Sequence, residues 1–191
     1  MPAIPLFIVG CGVYYTLLMY GGPDGEASAA FRYMSQKFTF KNPRVAGLLN
    51  DIACEELSHL EIVGTIVHQL VKDLPCDEVD TAGFEKYYVD HTLGVWPQSA
   101  GGVPFTATEF QSSGDPIADL VEDMAAEQKA RKTYDNILSL VKDCEVADPI
   151  KFLRKREIVH FQRFGEALRM VTEEMDKKNF YAVNPSSCIK R

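Results

Sequence analysis

LLNDIACEELSHLEIVGTIV, residues 48–67, is the stretch that decides the fold. Apolar residues recur in it at alternating steps of three and four, the period of a helix with one buried face. Glu56 and His59 fall on that apolar face, where an uncompensated charge costs several kcal/mol. The stretch therefore predicts a buried helix whose Glu-x-x-His pair needs a partner.

Three further segments have the same period. We predict an all-α protein, a single domain over residues 1–191, with helices at about 11–38, 43–73, 116–143 and 149–178. Gly21, Gly22 and Pro23 should kink or interrupt the first helix. Short links make two antiparallel helical hairpins, so the long Gly- and Pro-rich connection at about 74–115 must cross between them. The predicted architecture is a ferritin-like four-helix bundle with a long crossover between helices 2 and 3.

A second Glu-x-x-His, residues 157–160, lies on the apolar face of the fourth helix. Each of the two motifs has a glutamate 30 residues upstream, on the helix that precedes it in the hairpin. The two triplets are related by a constant offset of 101 residues, and Tyr33 and Tyr134 repeat that offset. The chain therefore resembles one hairpin used twice about a pseudo-twofold axis. Six ligand-type residues would face the centre: Glu26, Glu56, His59, Glu127, Glu157 and His160.

One glutamate from each of two helices plus Glu-x-x-His from each of the other two is the ligand set of carboxylate-bridged di-iron and di-manganese bundles. Carboxylate oxygens with one imidazole per ion suit manganese or iron better than zinc. A metal-free salt-bridge network is the alternative, but it needs about as many cations as carboxylates, and Arg131 is the one on an apolar stripe. We expect Arg131, Tyr33 and Tyr134 to contact the ligand carboxylates. Plain core aromatics are the alternative for the tyrosines.

The composition fits a globular protein without a nucleic-acid partner: the net charge is -7, with 46% hydrophobic and 25% charged residues. Five cysteines form no C-x-x-C pair and indicate reduced thiols, with Cys54 packed. The first charged residue is Asp24, so the N-terminus is either a signal peptide or anchor, or half of a buried helix. No basic segment precedes the apolar run, which favours the helix, with synthesis in the cytoplasm and neither membrane insertion nor secretion.

The sequence resembles the manganese catalases, most closely their short relatives among spore coat proteins, the CotJC type. The resemblance runs from about Gly21 to Asp176 through YGGPDGEASAAFRYMSQKF, LLNDIACEELSHLEIVGTIV, GGVPFTATEFQSSGDPIADLVEDMAAEQKAR and FLRKREIVHFQRFGEAL.

This resemblance implies two manganese ions and the disproportionation of hydrogen peroxide to water and dioxygen. The ligands it implies are Glu26, Glu56, His59, Glu127 and His160. Glu56 would bridge the ions, and Glu157 would carry protons without binding metal. A homo-oligomer, a place in the spore coat and contacts with other coat proteins are implied too.

One departure from the family pattern concerns a calcium site. Longer members hold calcium between subunits with two aspartates ahead of the second-helix glutamate; Asp51 matches one, but Gly47 stands at the other. The resemblance therefore predicts neither a calcium site nor a particular oligomer size for this chain. Two other functions stay open at this point: a structural coat protein with a vestigial site, and a di-iron oxidase or ferritin-like iron handler.

Overall fold

A computed structural model describes residues 16, 18–75, 77, 97–99 and 102–178 of the chain. The described residues hold four long helices: α1 (Glu26–Gln36), α2 (Pro43–Val71), α3 (Pro116–Leu140) and α4 (Cys144–Lys178). The hairpins α1–α2 and α3–α4 make the most extensive contacts, and they pack on each other through α2 with α4 and α1 with α3. The predicted all-α, ferritin-like bundle is thus confirmed. No helix among these residues has the length and apolarity needed to cross a membrane.

The first predicted helix is interrupted, as its Gly-Gly-Pro sequence indicated. Residues 18–21 are helical, 22–25 form a turn closed by a 3.0 Å hydrogen bond from the Gly25 N–H to the Gly22 carbonyl, and α1 begins at Glu26. A Cβ on Gly21 would lie 2.2 Å from the backbone nitrogen of Gln98. Glycine at position 21 therefore lets the crossover pack directly on the end of the first helical segment. Residues 11–15 and 17 of the predicted helix lie outside the described part of the chain.

Helices α2 and α3 begin in the same way, with a polar cap followed by proline. The Asn42 side chain accepts a 2.9 Å bond from the Arg44 N–H, and Asp115 accepts 3.0 Å bonds from two N–H groups of α3. Pro43 and Pro116 fill the first helical position, where no N–H is needed.

The prediction was wrong about the start of α4. The helix begins at Cys144, five residues before Pro149, which it contains. The Asp143 side chain accepts the Glu145 N–H at 2.8 Å, and its carbonyl accepts the Ala147 N–H at 2.8 Å. These two bonds start the helix ahead of the proline.

Two apolar layers enclose the middle of the bundle. One contains Leu49 and Ile52 of α2, and the other contains Val63 and Ile66 of the same helix. Glu56 and His59 lie between these pairs in sequence, so the polar residues occupy a layer that is closed above and below by hydrophobic packing.

Candidate metal centre

All four helices contribute to the polar layer, and every predicted ligand-type residue is there. Glu26 comes from α1, Glu56 and His59 from α2, Glu127 from α3, and Glu157 and His160 from α4; none is more than 2% exposed. The period of each helix turns these side chains inward, and the pairing of the two hairpins brings the six together.

Glu56 lies at the centre of the group. Its Oε2 is 2.8 Å from Nδ1 of His59, and its Oε1 is 2.7 Å from Nδ1 of His160. The two imidazole rings are nearly parallel, with centroids 5.4 Å apart. One carboxylate thus faces both histidines, which is the position expected of a bridging ligand.

Each imidazole also faces one glutamate from the partner helix of its hairpin. Nδ1 of His59 is 3.7 Å from Oε2 of Glu26, and Nδ1 of His160 is 3.5 Å from Oε2 of Glu127. The two halves of the site therefore have matching geometry, as the 101-residue offset predicted.

The acidic surroundings dominate the protonation of both histidines. Burial lowers the pKa of His59, but hydrogen bonds and charges from Glu26 and Glu56 outweigh it and raise the pKa to about 10. Burial also lowers the pKa of His160, but hydrogen bonds and charges from Glu127 and Glu56 outweigh it and raise the pKa to about 11. Burial, then the charges of Glu127 and Glu26, raise the pKa of Glu56 to about 7. Without metal, the centre holds protons where ions would bind.

Glu157 completes the cluster. Its Oε1 is 3.7 Å from Nδ1 of His59, and ligand atoms of Glu56, His59, Glu157 and His160 lie within 4.8 Å of one another. Burial, followed by the charges of Glu127 and Glu56, raises the pKa of Glu157 well above its usual value. Its position is compatible with binding metal and with holding a proton beside it.

The two tyrosines connect the halves of the site crosswise. Tyr33 of α1 donates from its hydroxyl to Oε1 of Glu127 at 2.5 Å, and Tyr134 of α3 donates to Oε1 of Glu26. Both rings are fully buried. Each hydroxyl holds the glutamate of the other hairpin, so the expected contact with ligand carboxylates is present for both.

The expectation for Arg131 was wrong. Its guanidinium donates to Gln128 at 2.9 Å and to Asp135 at 2.8 Å, on the half-exposed flank of α3. Asp135 lies one turn further along the helix, and pairing there avoids the cost of burying the charge. Cys54, expected to be packed, is exposed.

Sequence reasoning missed three charged residues beside the site. Glu55 of α2 lies next to both imidazoles, and Arg156 of α4 donates to it. Residue 156 follows residue 55 by 101, so the repeat offset was a signal that could have found this pair. Arg32 is 1% exposed, donates from Nη2 to the Pro23 carbonyl at 3.2 Å, and has no described partner for its Nε and Nη1.

The donor atoms fit a pair of metal ions. Within the described residues, Glu127 Oε2 and Glu157 Oε1 are buried at the centre without a hydrogen-bond partner, and Glu56 Oε1 and His160 Nδ1 lie 2.7 Å apart without the alignment of a hydrogen bond. Buried polar atoms are normally satisfied, and carboxylate oxygens that converge on two imidazole nitrogens are donors that suit divalent metal ions. Calcium has less support, because Asp51 pairs with Arg163 at 2.6 Å and Gly47 has no side chain to offer.

Comparison with known proteins agrees with this centre. The family model described as "Manganese containing catalase" matches residues 14–185. Protein CotJC of Bacillus subtilis (strain 168) is 47% identical over 167 residues, 87% of this chain and 88% of that protein. A probable manganese catalase of Clostridium acetobutylicum is 37% identical over 169 residues, 87% of this chain and 75% of that protein.

Among solved structures, KatB, a manganese catalase from Anabaena PCC7120, superposes with a TM-score of 0.76 at 32% identity. The match covers 85% of this chain and 73% of KatB. Sequence, fold and buried donor set thus lead to the same conclusion: the chain belongs to the manganese-containing catalase family.

Proposed function

We propose that this protein is a dimanganese catalase, which converts two molecules of hydrogen peroxide into two of water and one of dioxygen. The observation that carries the proposal is the position of Glu56, whose two oxygens each face Nδ1 of a different histidine at the buried centre of the bundle. A carboxylate in this position can bridge two ions that keep one imidazole each. Membership of the manganese-containing catalase family supports manganese over iron.

The remaining ligands divide evenly between the two ions. Glu26 and His59 would hold one ion, Glu127 and His160 the other, with Glu56 shared; the 3.7 and 3.5 Å spacings between glutamate and imidazole support this division. Bound manganese supplies the two-electron redox change that lets one peroxide be oxidised and another reduced. The protein holds the donors in a buried layer between two apolar layers, so the packing of the helices fixes their positions.

Proton transfer is the role we assign to Glu157. Oxidation of one peroxide to dioxygen releases two protons and two electrons, and reduction of the second peroxide to two waters consumes them. Burial and the charges of Glu127 and Glu56 raise the pKa of Glu157 well above its usual value, which favours the protonated form of this carboxyl. It can give that proton to a departing oxygen and take one back from the next peroxide.

A small cavity lies beside the carboxylates and brings a polar side chain close to them. Its volume is about 10 Å³, close to the space needed for one water, and Glu26, Glu127, Glu157, Tyr33 and Arg32 are among its lining residues. Two nitrogens of Arg32, Nε and Nη1, have no hydrogen-bond partner among the described residues, and a water in this cavity could accept from them.

A second function has its own support. The 47% identity with Protein CotJC favours a place in the spore coat, with synthesis in the cytoplasm and other coat proteins as partners. In that setting the site could be a structural clamp without catalysis. We further propose a homo-oligomer, because the outer face of α1 carries a cluster of Phe31, Phe105 and Phe110, and Phe38 is 81% exposed.

Metal content and oxygen evolution, measured on the same purified samples, test the proposal. We expect two manganese ions per chain by mass spectrometry and dioxygen release from peroxide, both lost in Glu56→Ala. Glu61→Ala, an exposed glutamate of the same helix, is the matched control and should retain both. Metal-loaded but inert protein supports the structural clamp, and iron with oxidase activity supports a di-iron enzyme; either result rejects the catalase.

Glu157→Gln separates a proton carrier from a ligand. A carrier leaves two manganese ions per chain and lowers only the rate of dioxygen release. Loss of metal from this variant shows instead that Glu157 is a ligand.

A further inference from the structure

One carboxylate outside the proposed ligand set faces both histidines from the side away from the centre. Oε1 of Glu55 is 3.7 Å from Nε2 of His59, and its Oε2 is 3.2 Å from Nε2 of His160. Neither Nε2 forms a hydrogen bond within the described residues, so both are free to donate to this carboxylate. Glu55 is 27% exposed, so it lies at the rim of the buried layer. The Nδ1 atoms of both rings face the opposite way, towards Glu56.

Arg156 fixes the orientation of this carboxylate. Its Nε and Nη2 donate to the two oxygens of Glu55, the second bond being 3.2 Å long. Such a two-bond pairing holds a carboxylate in one plane, which a single lysine contact would not do. Arg156 belongs to α4 and Glu55 to α2, so the pair also joins the two hairpins.

The pair occupies equivalent positions of the internal repeat. Residues 55 and 156 are separated by 101 positions, the offset that relates the two ligand triplets. At these two positions the repeat has residues of opposite charge, whereas the ligand positions of the two halves have identical residues. A single carboxylate near the pseudo-twofold axis can therefore serve both imidazoles, which two glutamates placed there would do only with mutual repulsion.

We propose that Glu55, held by Arg156, is a positioning residue that keeps the Nε2–H tautomer of both His59 and His160 and so directs both Nδ1 lone pairs at the metal ions. A neutral imidazole carries its proton on one nitrogen, and an acceptor at Nε2 selects which one. Outer acceptors of this kind orient metal-binding histidines and strengthen metal binding. The proposal rests on the proposed function, since it assumes that the centre binds manganese.

The rival explanation is an ordinary salt bridge that ties α2 to α4. The chain contains a control for it: Asp51 and Arg163 join the same two helices at 2.6 Å, and neither touches an imidazole in the described structure. Loss of either salt bridge should affect helix pairing similarly, but only loss of Glu55 should alter metal binding.

Manganese titration of four proteins tests the proposal: wild type, Glu55→Ala, Asp51→Ala and the exchanged pair Glu55→Arg/Arg156→Glu. We expect Glu55→Ala to weaken Mn²⁺ binding by about 10- to 100-fold. Asp51→Ala should bind within about threefold of wild type. The exchanged pair should recover most of the loss, because a glutamate at 156 lies one helical turn before His160, as residue 55 does before His59.

The histidine tautomer gives a second readout that a purely structural salt bridge would not move. Nitrogen-15 NMR of the zinc-loaded proteins should find the proton on Nε2 in wild type and in the exchanged pair, with mixed states in Glu55→Ala. Circular dichroism melting controls for folding, and Glu55→Gln replaces Glu55→Ala if the latter does not fold.

Two results overturn the proposal. One is Glu55→Ala binding Mn²⁺ as tightly as Asp51→Ala, and the other is an exchanged pair that folds but regains no affinity. If the wild-type protein binds two ions, either of these results rejects only the role of Glu55 and leaves the proposed function intact. If the wild-type protein binds no ions, the proposed function and the role of Glu55 are both rejected.

Discussion

Binding of metal ions should release protons, and their number depends on how many protons His59, His160 and Glu56 hold beforehand. In the metal-free protein the pKa values of His59 and His160 are raised to about 10 and 11, and that of Glu56 to about 7. At pH 8 both imidazoles are therefore protonated and Glu56 is mostly ionised. Two ions that bind through Nδ1 must displace about two protons at pH 8 and about three at pH 6, where Glu56 adds its own.

Because binding releases protons, the affinity for the metal ions should rise with pH. Release of two protons means that the overall association constant for two ions rises about 100-fold per pH unit near pH 8, or about 2.7 kcal/mol. Between pH 6 and 7 the rise should be steeper, because Glu56 also titrates there.

Anaerobic calorimetry with Mn²⁺ in two buffers of different ionisation enthalpy measures the released protons directly at each pH. Glu61→Ala, which leaves the buried layer untouched, should release the same number as wild type. Release of fewer than one proton at pH 8 would refute the reasoning, because the histidines would then be neutral before metal arrives or would not be ligands.

Further outcomes follow from the same contacts. Removal of metal by a chelator should lower the melting temperature more at pH 8 than at pH 6, because the raised histidine pKa values stabilise the metal-free fold fully only below about pH 6.5 and this stabilisation is lost as the pH rises towards 10. Tyr134→Phe should weaken metal retention about tenfold in competition with a chelator, since Glu26 loses its hydroxyl donor. Asp115→Ala should lower the free energy of unfolding by about 1 kcal/mol in urea titrations, through loss of the α3 cap. Phe164→Ala should cost about 3–5 kcal/mol in the same assay, because this buried ring packs on Tyr33 at 4.8 Å.

The ligand-type residues could be predicted because helical period is a local property. In α2 the steps of three and four that bury Leu49 and Val63 also bury Glu56 and His59, so the face was known before any packing was seen. The constant offset then linked residues far apart in the chain, and it identified the two tyrosines as a pair. Which glutamate each hydroxyl would meet was not predictable, since Tyr33 and Tyr134 reach across to the other hairpin.

The errors occur where side-chain reach and neighbours decide the contact. The period places Arg131 on the apolar stripe, but its long side chain reaches Asp135 on the half-exposed flank, and the period cannot show which partner a flexible side chain reaches. Glu55 lies outside the predicted ligand set. Its partner Arg156 comes from another helix, and only their packing brings one carboxylate to both imidazoles.

The sequence by itself determined the helical class, the connection that must cross between hairpins, and the six residues that face inward. These features depend on period and spacing along the chain, which hold for each helix separately. Only the tertiary structure decided how the two hairpins meet: Glu56 between both histidines, tyrosines bound crosswise, and the Glu55–Arg156 pair behind the rings. Such contacts depend on the relative positions of helices far apart in sequence, which the period of one helix cannot specify.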